Sequence, residues 1–176
     1  MQESHIKTGL RKILEIPFFY EMSQILGGGD SVRKRIVKEY IKPFNGASIL
    51  DIGCGTGKML DFLPQGIDYF GYDFNQKNIE LARKRYKNKG NFFLARVNDN
   101  PEFHQKKFDF VFAITVLHHL SDEEAGRLIS SAHSFLKPKG IFISLDPVFL
   151  EKQSLLARFI ISKDRGQMVR YPEGYS

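Results

Sequence analysis

Three glycines at alternate positions, Gly53, Gly55 and Gly57, follow an apolar run with a carboxylate in it, Ile49-Leu50-Asp51-Ile52. Directly after them, Lys58-Met59-Leu60-Asp61-Phe62-Leu63 reads as the first turns of a helix. A strand that turns through glycines into a helix brings backbone close to a ligand, because glycine has no Cβ and tolerates positive φ. The helix start adds unpaired N–H groups. A carboxylate at the strand end holds an ammonium or a hydroxyl. Together these parts suit a small polar ligand that carries an amine and a ribose. Three glycines by themselves also fit an ordinary tight strand-to-helix turn.

A second carboxylate sharpens this reading. Ile67-Asp68-Tyr69-Phe70-Gly71-Tyr72-Asp73 reads as a strand ending in an acid. In nucleotide-binding α/β units an acid about 20 residues past the loop takes the ribose hydroxyls. Asp73 has that kind of spacing, and it also suits the N-cap of a helix starting near Asn75. The dinucleotide fingerprint runs G-x-G-x-x-G with a pyrophosphate on the helix N-terminus, whereas this loop runs G-x-G-x-G two residues after Asp51. A carboxylate there repels a pyrophosphate, which opposes a dehydrogenase. It attracts the cationic methionyl end of S-adenosylmethionine, which has no phosphate.

The chain resembles the class I S-adenosylmethionine-dependent methyltransferases. The resemblance is carried by Leu50-Asp51-Ile52-Gly53-Cys54-Gly55-Thr56-Gly57, Tyr72-Asp73, Phe108-Asp109-Phe110-Val111, Val116-Leu117-His118-His119-Leu120 and Leu136-Lys137-Pro138-Lys139-Gly140, in that order. It covers roughly residues 47–147. The flanks, Ile16-Pro17-Phe18-Phe19-Tyr20, Asp146-Pro147-Val148 and Asp164-Arg165-Gly166-Gln167-Met168-Val169-Arg170, resemble a small bacterial-type subgroup without a defined substrate.

That resemblance implies a cofactor site built from Asp51, Gly53, Cys54, Gly55, Asp73 and Phe74, with S-adenosyl-L-methionine as the cofactor. Ile114, Thr115 and Leu117 would border its methionyl part. The family often has an acid for the adenine after the third strand; Arg96 stands there instead, which leaves Val97, Asn98 and Asp99 for that contact. His118 suits a general base, since histidine titrates near neutrality, or else packs behind the loop; packing is the reading for His119. Asp146 either faces the methyl acceptor or caps a following helix. Arg165 and Arg170 either bind an anionic acceptor or pair with nearby acids. Adjacent histidines without further ligands make a metal site unexpected.

The elements that must position these residues alternate. Strands are expected over residues 48–51, 69–72, 92–95, 110–114 and 141–145, with helices over 58–63, 76–86, 122–136 and 153–161. Ser121-Asp122-Glu123-Glu124 is a capping box. Upstream, a helix over residues 9–25 is interrupted by Pro17. Another runs from Asp30 or Ser31 to residue 41, where Lys42-Pro43 stops it. The fold expected is α/β: a Rossmann-like, doubly wound, mostly parallel sheet with helices on both faces and N-terminal helices. The division expected is an N-terminal helical cap over residues 1–46 and a cofactor-binding α/β part over 47–176, in one structural domain. In such sheets the ligand lies at the carboxyl ends of the strands.

Composition agrees with one domain of 176 residues. No apolar run approaches the roughly 20 residues needed to cross a bilayer, and the N-terminus lacks the apolar core of a signal peptide. Cys54, the single cysteine, reads as a small loop residue rather than a nucleophile, in a reducing cytoplasm. The net charge of +6 is mild, and the basic clusters at residues 33–35 and 83–87 read as solvated faces rather than a nucleic-acid stripe. A small-molecule methyl acceptor is expected; the alternative reading is a non-catalytic domain that binds S-adenosylmethionine or S-adenosylhomocysteine and serves in regulation or assembly.

Members of the resembled family usually finish with a further helix and an antiparallel hairpin. Here five strands are expected and the hairpin is absent, so the natural protein is expected to be longer. A bare sheet edge, with Phe142, Phe149 and Phe159 exposed, would invite self-association.

Overall fold

A computed structural model of the chain describes residues 29–96, 106–162 and 168–175. The chain divides into two compact units, Met1–Lys42 and Pro43–Ser176. In the first, α1 (Gly29–Arg35) continues as a π-helical stretch, Ile36–Ile41. Lys42, at φ 44°, ends it in the left-handed region, and its N–H donates to the Val37 carbonyl at 2.9 Å. Pro43 cannot extend the helix, because it has no N–H to donate. The helix expected over residues 9–25 lies outside the described residues.

The second unit is built on five parallel strands: β1 (Ser48–Ile52), β2 (Asp68–Asp73), β3 (Asn91–Leu94), β4 (Phe108–Ile114) and β5 (Leu136–Leu145). Their order is β3-β2-β1-β4-β5. The chain thus winds outward from β1 in one direction and then in the other. The crevice where the winding reverses lies between the carboxyl ends of β1 and β4, where ligands bind in sheets of this kind.

Both faces are covered. On one, Leu50, Ile52, Tyr72, Val111 and Ala113 pack with Ala125, Leu128 and Ala132 of α3 (Asp122–Ser134). On the other, α2 (Gln76–Tyr86) buries Ile79, Ala82 and Tyr86, and the Tyr86 ring stacks on Phe92 at 5.8 Å. Capping fixes where these helices begin. Asn75 accepts from the Lys77 N–H at the start of α2. Ser121 and Glu124 form the expected capping box at the start of α3. The stretch expected as a helix after the glycines is a short 3₁₀ turn, Lys58–Phe62.

Strand β5 begins five residues earlier than residue 141 and is irregular there. Phe108 pairs with Leu136 and Phe110 with Ile141, so Lys137–Gly140 forms a bulge. Lys139 sits at φ 67°, and a Cβ on Gly140 would lie 2.9 Å from the Phe108 carbonyl. Asp109 pins this end of the sheet. Its Oδ2 accepts from the Ser48 N–H and Oγ–H, each at 2.8 Å, and from Lys137 Nζ at 2.8 Å. One carboxylate thereby ties together the first residues of β1, β4 and β5. Asp109 resembles a motif residue in sequence, yet it lies at the amino ends of the strands, away from the crevice.

After β5 the chain forms α4 (Leu155–Ser162) and a 3₁₀ turn, Pro172–Tyr175. Val148 and Arg170 make a parallel bridge, and the Phe149 N–H donates to the Arg170 carbonyl at 3.1 Å. Phe159 is 60% exposed. Phe142 and Phe149, also expected to be bare, are half-buried. Phe142 packs against the core, and Phe149 packs beside the Tyr171 ring. On β5 the exposed apolar side chains are Ile141 and Leu145.

Candidate functional site

The turn after β1 explains its glycines individually. Gly53, Gly55 and Gly57 have φ of 71°, 55° and 76°, a region that other residues enter only at a cost of about 1–2 kcal/mol. Gly53 and Gly57 are also required by packing. A Cβ on Gly53 would lie 2.7 Å from Val116 Cγ2, and one on Gly57 would lie 2.7 Å from the Phe92 ring. A Cβ on Gly55 would meet nothing within 4 Å. The middle of the loop therefore presents bare backbone to open space, as a cradle for a ligand must.

Two carboxylates flank the loop. Asp73, at the end of β2, accepts from the Gly55 N–H at 2.9 Å through Oδ2 and from the Asn75 N–H at 2.8 Å through Oδ1. It does not cap α2, since Asn75 does; it ties the glycine loop to the end of β2. Phe74 beside it is 70% exposed. Asp51 is buried, and its Oδ2 accepts from the Tyr69 hydroxyl at 2.6 Å. Burial, first, and then Asp51 push the Tyr69 phenol well above its ordinary range, so it stays a donor.

Cys54 lies among these groups. Burial, followed by the charges of Asp51 and Asp73, pushes its thiol well up. A protonated thiol is a poor nucleophile, in keeping with its reading as a small loop residue. The two carboxylates that act on this loop, one of them bound to its Gly55 N–H, fit a cationic ligand and oppose a pyrophosphate.

On the far side of the crevice, Thr115 leaves β4 at φ 57°, and its N–H donates to the Leu145 carbonyl at 2.7 Å. A 3₁₀ turn, Leu117–His119, follows. Ile114 is half-buried at the strand end, while Leu117 is buried in the core. The two histidines have opposite surroundings. His118 is 2% exposed; its N–H donates to Asp146 Oδ1 at 3.1 Å, and its Nδ1 lies 2.7 Å from the same oxygen. A carboxylate oxygen accepts, so Nδ1 is the donor of this bond. His119, expected to pack, is exposed, with its ring 4.1 Å from that of His118.

The side chain of Asp146 is 3% exposed, and its Oδ2 is buried without a hydrogen-bond partner. The carboxylate thus pairs with His118 rather than capping a helix, which its position in sequence did not indicate. Tyr69 was also missed. It reads as an ordinary strand aromatic, and only the neighbouring strand shows that its hydroxyl meets Asp51.

Arg170 is not available to an anionic acceptor. Its Nε donates to Asp122 Oδ1 at 2.8 Å, its Nη1 to the carbonyls of Leu117 and Met168, and its Nη2 to the Leu120 carbonyl and Asp122. A guanidinium has five N–H donors, and these contacts employ them all. Met168 N–H donates to the His118 carbonyl at 3.0 Å, so this segment clamps the turn after β4. Val97, Asn98, Asp99 and Arg165 lie outside the described residues. Among the described residues, no group of metal-ligating side chains gathers, and no helix is long and apolar enough to cross a membrane.

Residues 49–140 match the family described as methyltransferase domain. A phosphoethanolamine N-methyltransferase of Plasmodium falciparum is 26% identical over 141 residues, covering 78% of this chain and 52% of that protein. A ubiquinone biosynthesis O-methyltransferase of Bartonella bacilliformis is 32% identical over 104 residues, covering 57% and 41%. Among solved structures, PKMT2 from Rickettsia typhi, in complex with AdoHcy, superposes with a TM-score of 0.51 at 27% identity, covering 56% of this chain and 20% of that one. The parallel sheet and its glycine loop define a Rossmann-like α/β protein of the class that uses S-adenosylmethionine. The chain belongs to the methyltransferase domain family, within the class I S-adenosylmethionine-dependent methyltransferases. It spans about half the length of the curated relatives it matches.

Proposed function

We propose that this chain binds S-adenosylmethionine in the crevice between β1 and β4 and transfers its methyl group to a small-molecule acceptor by in-line displacement. The observation that carries the reading is the Gly55 backbone, open on one side and tied by its N–H to Asp73 at 2.9 Å. Asp73 takes the ribose hydroxyls and Phe74 the adenine face. Asp51, with Gly53, Cys54 and Gly55, surrounds the amino-acid end, and Ile114 lines the methionyl wall; Leu117, expected there too, packs in the core and supports the turn instead. Val97 and Asn98 remain the assignment for the adenine edge. When bound, the cofactor supplies a methyl carbon activated by its sulfonium. The protein's task is then to hold the acceptor in line and exclude water.

A hydroxyl acceptor also needs a base, and for this we assign His118, oriented through Nδ1 by Asp146. His118→Ala should then lower turnover roughly 10²–10⁴-fold with cofactor affinity unchanged. A loss of stability at unchanged turnover per folded molecule would make the pair a support of the turn, and His119→Ala tests the exposed imidazole beside it.

The relatives named as O- and N-methyltransferases support a small acceptor. The lone, protonated thiol of Cys54 suits a reducing cytoplasm. Ile141 and Leu145 on the outer strand support self-association through that edge. Calorimetry tests the core of the proposal. S-adenosylhomocysteine should bind well above NAD, and Asp73→Ala should lose about 1.5–3 kcal/mol of affinity, as for hydrogen bonds to a charged group. NAD binding as tightly as S-adenosylhomocysteine would overturn it.

A further inference from the structure

We propose that Tyr69 is a positioning residue for the amino-acid end of the cofactor, acting through Asp51. The inference rests on the reading of Asp51 as the carboxylate that faces the cofactor's ammonium. Asp51 and Tyr69 lie on neighbouring strands, where Asp51 pairs with Gly71 and Ile49 with Tyr69. The hydroxyl reaches Asp51 Oδ2 at 2.6 Å, the short distance of a charge-assisted O–H···O⁻ bond. A buried carboxylate with several rotamers open to it is an imprecise electrostatic anchor. One held by a rigid donor has a fixed direction, and its charge acts at a fixed place.

The slot that holds Tyr69 is built for that ring. A Cβ on Gly71 would lie 3.1 Å from Tyr69 Cε1 and 2.8 Å from Cys54 Sγ, and one on Gly90 would lie 3.0 Å from Tyr69 Cδ1. The Phe92 ring closes another side at 5.6 Å. Two glycines thus clear the walls, and one of them, Gly71, also admits Cys54 of the cofactor loop. The phenol, Asp51 and the glycine loop form one packed unit. A hydroxyl kept protonated by burial and by Asp51 continues to donate whatever the pH within the ordinary range. A neutral donor orients the carboxylate without adding a charge that opposes it.

Calorimetry on the full chain with two probes tests this. S-adenosylhomocysteine carries the amino-acid end, and 5′-methylthioadenosine lacks it. Tyr69→Phe should weaken S-adenosylhomocysteine about tenfold, the weight of one hydrogen bond to a charged group, and leave 5′-methylthioadenosine within about twofold. Equal weakening of both probes would make Tyr69 a packing residue only and overturn the proposal, as would no weakening of either. A wild-type chain that binds neither probe would sink the underlying reading of the site as well. Should the variant not fold, the wild-type Tyr69 hydroxyl proton, followed by NMR, serves in its place. It should shift on adding S-adenosylhomocysteine and stay on adding 5′-methylthioadenosine; a resonance indifferent to both overturns the inference.

Discussion

At the scale of single residues, the three loop glycines look alike in sequence but do different things. Gly53→Ala combines positive φ with overlap against Val116 Cγ2, so it should cost more than about 2 kcal/mol of stability in a denaturant titration. Gly55→Ala meets only the backbone penalty, about 1–2 kcal/mol. It should stay folded but lose at least about tenfold in S-adenosylhomocysteine affinity, since its methyl group enters the cradle. Equal affinity in Gly55→Ala and the wild type would place the ligand elsewhere. Tyr69 adds a pH signature. Its phenol is raised by burial and by Asp51, so the unfolded chain releases that proton first as pH rises. The stabilisation is complete below the unfolded pKa of about 10 and declines above it. Melts between pH 9 and 11, a range bracketing that value, should show a steeper alkaline loss in the wild type than in Tyr69→Phe.

At the scale of elements, the sheet is fastened at both ends by polar side chains. Burial would raise the carboxyl of Asp109, but the hydrogen bonds from Lys137 and Ser48 outweigh it and hold it below its ordinary range. The stability it contributes is present above the unfolded carboxylate pKa near 4 and is lost as pH falls through the folded value. Asp109→Asn should cost about 1–3 kcal/mol at neutral pH and flatten the acid limb of stability against pH. At the opposite end, Arg170 joins residues 168–175 to the turn after β4 and to α3. Arg170→Lys offers three donors in place of five, leaving carbonyls of that turn unpaired. It should cost about 1–3 kcal/mol and raise amide exchange at residues 117–120. Unchanged exchange there would show that Arg170 does not hold the turn.

At the scale of the whole molecule, the second unit leaves apolar side chains exposed on β5, Ile141 and Leu145, and on α4, Phe159. An outer strand has unpaired backbone groups along one side. Sedimentation at low micromolar concentration should therefore show association that grows with concentration and falls for Ile141→Lys, because a charge on an edge strand opposes pairing. A single monomeric species throughout would show that the chain shields its edge by itself.

The alternation of strands and helices, the glycine loop and the two carboxylates at strand ends were legible in the chain because each depends on local pattern. Periodicity separates strand from helix, glycine marks positive φ, and Ser121 with Glu124 marks a helix start. Helix and strand limits were less legible: the 3₁₀ turn at Lys58–Phe62 and the bulge in β5 depend on what packs against them. The roles of particular side chains were set by contacts between residues far apart in sequence. His118 and Asp146 are 28 positions apart and Asp51 and Tyr69 are 18 apart, and no local rule pairs them. Which histidine is buried, which donors Arg170 has left, and that Asp109 serves the sheet rather than the site were likewise decided only when β1, β4 and β5 came side by side. Hydrogen bonding and burial act across space, whereas sequence records only neighbours along the chain.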